Sequence, residues 1–104
     1  SAEATVESWA EALRSMEPAS PFASLLEALL ARARVGASPE DLDAELDARI
    51  VEASAPDLRD GIEAEVGCEL APFRGLMAPE AFGATHALTV RDRLRKALRL
   101  PRIS

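Results

Sequence analysis

His86 is the single histidine of this sequence and Cys68 the single cysteine. Imidazole or thiolate chemistry therefore has only these two side chains to build on. No Gly-x-Ser-x-Gly turn frames a serine for a Ser–His–Asp arrangement. No Glu-x-x-His or His-x-x-x-His spacing is present, and two ligands, Cys68 and His86, fall short of a zinc site. His86 is expected as a buried or half-buried structural residue, and Cys68 as a small core hydrophobe. Lone Cys68 also excludes a disulfide within the chain and points to a reducing, cytoplasmic setting.

The acidic pairs Asp41/Asp43, Glu45/Asp47 and Glu63/Glu65 are the next candidates. Their alternate spacing spreads them around a helix, and no oxygen-rich loop with a central glycine accompanies them. They read as solubility charges. Neither a glycine-rich phosphate loop nor a dinucleotide fingerprint occurs. No catalytic constellation, metal site or cofactor is expected from these residues.

The sharpest signal is a charge asymmetry. Residues 1–80 hold 6 basic and 17 acidic side chains, whereas residues 81–104 hold 6 basic and 1 acidic. The basic end suggests a contact face made of Arg91, Arg95, Lys96, Arg99 and Arg102. An acidic protein surface, including that of a second copy in a homodimer, is the expected partner. The bland alternative is a solvated helix face whose cations favour the helix dipole. Nucleic acid is the other functional reading. Four to six phosphate contacts would give a log–log salt slope of roughly −4 to −5. Against it, no aromatic is interleaved with the cations to stack on bases, and no zinc-finger, homeodomain or RNA-recognition signature appears. A basic amphipathic helix can also lie on anionic lipid, but this one carries no Trp and its leucines are needed for a core. Trp9 reads as a core anchor between the first two helices, with an interface anchor as its alternative.

Positioning these residues falls to helices. Ala contributes 21 residues, Tyr none, and 28 are large and apolar, enough for one core in a chain of 104 residues. Val6, Trp9, Leu13 and Met16 make one stripe of a first helix running from Ala2 or Thr5 to Met16. Ser20-Pro21 starts a second helix, with Phe22, Leu25, Leu26, Leu29, Leu30 and Ala33 on a wide face and small residues opposite. It is expected to be the most buried, with packing on both sides, and to end at Gly36. Ser38-Pro39 starts a third, with Leu42, Leu46, Ile50 and Ala53 inward.

Asp57 to Leu70 is expected as a fourth helix on Leu58, Ile62, Val66 and Leu70. Gly61 and Gly67 disfavour it unless a neighbouring helix crosses closely there. The alternation over residues 62–70 also fits a strand paired with 85–90. Phe73, Leu76 and Met77 are expected to plug one end of the core. A last helix runs from about Pro79 to Leu98, with Phe82, His86, Val90, Leu94, Ala97 and Leu98 inward and Arg91, Arg95 and Arg99 outward.

The predicted fold is all-α, a bundle of four or five helices, with an α+β variant carrying one hairpin as the alternative. Residues 1–104 are read as one helical domain, and Ser1 in place of Met suggests a processed chain or a domain excised from a longer one. No apolar run approaches the ~18–20 residues that span a bilayer. The expected function is a non-catalytic interaction or oligomerisation module, with a nucleic-acid-binding regulator as the alternative.

Overall fold

The computed structural model describes residues 2–102, so Ser1, Ile103 and Ser104 lie outside it. The described chain is an all-α bundle: α1 (Ala2–Arg14), α2 (Pro21–Arg34), α3 (Pro39–Ala53), α4 (Pro56–Leu70) and α5 (Pro79–Ala97). A 3-10 turn over Ala71–Leu76 links α4 to α5. Residues 62–70 and 85–90 are both helical, so no hairpin forms between them.

Every helix after the first begins with proline, where a missing N–H and a fixed φ suit the first turn. Ser20 Oγ accepts from the Phe22 amide at 3.2 Å and Ser38 Oγ from the Asp41 amide at 3.1 Å. Each satisfies one donor that a helix start leaves open. Gly36 follows α2 with φ +91°, the left-handed region that glycine enters without a Cβ clash.

The core lies between α1, α2, α3, the first two-thirds of α4 and the second half of α5. Trp9, Leu26, Leu29, Leu46, Ile50, Val66, Leu94 and Leu100 fill it. The α2 helix contributes six buried residues, more than any other helix described, as its wide face predicted. Its opposite side is different from expectation. Ala23 is buried, but Ser24, Ala28 and Ala31 face solvent, because α1 and α3 both pack on the Phe/Leu side.

Three further expectations are corrected. Gly61 and Gly67 mark no close crossing: a Cβ at either would meet nothing within 4 Å. Cys68 is exposed, since the core ends at Val66 and two residues further on the helix turns away from it. Phe73 and Leu76 do not plug the core; they are 50% and 80% exposed. Residues 67–89 contain no buried side chain at all. The outer halves of α4 and α5 thus form a two-helix arm with no third layer over it. The arm lengthens the molecule to 47 × 27 × 18 Å.

Candidate functional site

The basic segment is placed by the α3–α5 contact. Leu42 and Leu46 of α3 and Leu94 of α5 are core residues. Asp43 and Asp47 stand one position along from those leucines, four apart and therefore on one helix face. Arg95 stands one position along from Leu94. Packing the leucines together brings the guanidinium against the two carboxylates.

Arg95 was expected to point outward; it is 3% exposed. Its Nη2 donates to Asp43 Oδ1 at 2.8 Å and its Nη1 to Asp47 Oδ1 at 3.1 Å. Its Nε donates to the Leu100 carbonyl at 2.9 Å, and Nη2 also reaches the Pro101 carbonyl at 2.8 Å. The planar fork of arginine, with five N–H donors, serves four acceptors at once. A lone buried charge would cost several kcal/mol; one paired and hydrogen-bonded on this scale does not. The guanidinium carbon also lies 5.6 Å from the centre of the Trp9 ring, within cation–π range.

Two of those acceptors belong to the segment after α5. The helix ends in a Schellman turn: the Leu100 amide donates to the Arg95 carbonyl at 2.8 Å and the Arg99 amide to the Lys96 carbonyl at 3.1 Å. Arg99 occupies the left-handed position with φ 57°, where glycine is the usual residue. The turn folds residues 100–102 back as a strap. Leu100 enters the core, and Trp9 Nε1 donates to the Pro101 carbonyl at 2.8 Å. Arg102 closes the strap, donating to Asp47 Oδ2 and to Asp92 Oδ1, both at 2.6 Å. Arg91 approaches Asp47 at 3.7 Å and Asp92 at 3.2 Å.

Asp47 is thus a hub. Burial alone would raise its pKa, but hydrogen bonds from Arg102 and Arg95 and the nearby charges of Arg102 and Arg91 outweigh that. The carboxyl is held below its ordinary value. The same contact with Asp47, set against some burial and reinforced by Asp92, holds Arg102 above its own.

The five expected contact residues therefore divide. Arg91, Arg95 and Arg102 are neutralised by Asp43, Asp47 and Asp92 of their own chain. Lys96 and Arg99 are exposed and make no ion pair among the described residues. Both line a cleft of about 530 Å³ between the strap and α1, with Ser8, Asp92, Pro101 and Arg102 also on its walls. A second hollow of about 520 Å³ adjoins it across Ser8 and Arg99, floored by Ala12, Met16, Ala97 and Leu98 and edged by Glu11. Together they form one groove with an apolar floor at one end and cations at the other.

Trp9 is 1% exposed, so its anchoring role is inside the chain and not at an interface. His86 is half-buried on α5. Asp43, Glu45 and Asp47, read as solubility charges, are ion-pair partners instead, Glu45 taking Arg32 and Arg49. The i,i+4 spacing of Asp43 and Asp47 was the available signal for a shared cation. Nothing in the sequence marks Ser8 as a groove residue. No group of His, Cys, Asp and Glu among the described residues is arranged to hold a metal ion. No helix among them is long and apolar enough to cross a membrane.

No protein-family model, curated protein or solved structure matches the chain.

Proposed function

We propose that this chain is a non-catalytic interaction module that docks an acidic segment of a partner protein in the groove between α1 and the end of α5. The observation that carries the reading is the pair Lys96 and Arg99. In a chain of net charge −6, these two cations flank a groove without a carboxylate partner among the described residues, while their neighbours Arg91, Arg95 and Arg102 are paired. The floor of Ala12, Met16, Ala97 and Leu98 suits an apolar side chain of the docked segment. Carboxylates beside it meet Lys96 and Arg99. An acidic segment also avoids a long polyanion's conflict with the acidic body, since charges act over only about 8 Å at physiological salt.

The test is titration of a labelled Glu/Leu-rich amphipathic peptide, with a Lys/Leu-rich peptide as control, at two salt concentrations. Binding of the acidic peptide alone, weakened about tenfold or more by Lys96→Glu/Arg99→Glu and by added salt, is the expected result. Absence of binding at millimolar peptide, or binding indifferent to the charge reversal, overturns the reading. Duplex DNA or RNA bound through the same two residues, in place of the peptide, would move the assignment to nucleic acid.

A further inference from the structure

A hollow of about 620 Å³ lies where the α1–α2 connection, the start of α2, the α3–α4 turn and the end of α5 meet. It is larger than either half of the cationic groove, with which it shares Met16 and Leu98. Its large apolar lining residues are Met16, Phe22, Leu58 and Leu98. Phe22 belongs to the core and the other three pack against it. Much of the remaining lining falls at turns and helix ends and is short, Ala53 and Ala55 among it, so the space stays open. Hollows of about 300–1,000 Å³ between bundle helices, apolar with a few polar groups, have the usual dimensions of small-molecule sites.

The charge of this hollow is opposite to that of the groove. Glu17 and Glu52 are exposed on its lining and make no ion pair among the described residues. Arg59, the cation of the lining, approaches Asp60 at 3.8 Å. Ser54 donates its hydroxyl hydrogen to the Ile50 carbonyl at 2.6 Å and so offers none to an anion. Two helices start here, α2 and α4, and two end here, α3 and α5. Their dipoles offset one another, and side-chain charge sets the sign.

We infer that this hollow binds a small amphiphilic cation, an apolar body carrying an ammonium or guanidinium head. The body lies on Met16, Leu58 and Leu98, and the head is held by Glu17 and Glu52. An anionic amphiphile would set its head against two carboxylates in a chain of net charge −6. A neutral one would leave both carboxylates unanswered. Methionine, unbranched and polarizable, lets the lining adapt to the shape of the body. The site uses neither Lys96 nor Arg99, so its outcome is separate from that of the acidic-peptide titration.

NMR titration of the amide signals with n-octylammonium, octanoate and octyl glucoside, each below its micelle concentration, tests this. The expected result is saturable shifts around residues 16–22, 52–59 and 98. Octylammonium should bind about three- to tenfold tighter than octanoate, the gain that two exposed ion pairs give. Glu17→Gln/Glu52→Gln should erase that preference, and since both sites are exposed the helical circular dichroism should persist. Ala53→Leu should fill the hollow and weaken all three probes. Absence of saturable shifts, shifts centred elsewhere, or equal affinity for octylammonium and octanoate overturns the inference. So does a preference that survives the two Gln substitutions, or a Lys/Leu-rich peptide that shifts these amides where octylammonium does not.

Discussion

Replacing Arg95 by Ala removes the buried side chain that, with the more exposed Arg102, ties α3, the end of α5 and the strap together. Asp43 and Asp47 keep only 15% of their side-chain surface exposed and lose their common partner. The Leu100 and Pro101 carbonyls lose their guanidinium donors. Removing one side of a buried pair costs about 3–5 kcal/mol, and the lower end of that range is expected because Asp47 keeps Arg102 and Arg91. A chain of this length unfolds with an entropy near 0.2 kcal/mol/K, so the loss corresponds to a fall in Tm of roughly 15–25 °C. That is a large fraction of the ~5–15 kcal/mol typical of a domain.

Urea unfolding followed by helical circular dichroism measures the loss, and Trp9 emission reports the strap, since the single tryptophan bonds to Pro101. Arg95→Lys separates charge from geometry. It keeps the cation but cannot span four acceptors from one nitrogen, so a loss intermediate between wild type and Ala is expected. A loss below about 1 kcal/mol for Arg95→Ala, the level of an exposed pair, would refute the view of Arg95 as a buried hub.

Three further outcomes follow from the same geometry. Asp47 has a folded pKa below its unfolded one, so its contribution is fully present above the ordinary carboxylate value of about 3.9. It disappears as pH falls from there through the folded pKa, and Asp47→Asn should flatten the acid side of a stability–pH curve measured by urea midpoints. Gly67→Ala, in the interior of α4 with open space where the Cβ would stand, should stabilise by up to about 1 kcal/mol; thermal melts check this. Arg99→Gly relieves the left-handed strain at φ 57° and should also stabilise by about 1 kcal/mol. The same variant should weaken acidic-peptide binding in titration, a gain in stability coupled to a loss of function.

Local signals in the sequence determined the helices. Ser-Pro starts, the three- and four-residue repeats of Leu, Ile and Val, and the abundance of alanine all depend on neighbours within a turn or two. That is why α2 and α3 stood where expected. It is also why α4 was legible as a helix despite two glycines: a strand over 62–70 needed a partner that α5 could not supply.

What the tertiary structure alone decided is which residues of each helix stay outside. Arg95 turned inward because α3 offered two carboxylates beside the leucines it packs on, a pairing across 48 and 52 residues of chain. Phe73, Leu76 and Leu88 stayed outside because α4 and α5 outrun the body they pack on, so no third layer reaches them. A sequence states how apolar a residue is. Whether another element arrives to cover it depends on helix lengths and crossing points, and those are set by the whole chain together.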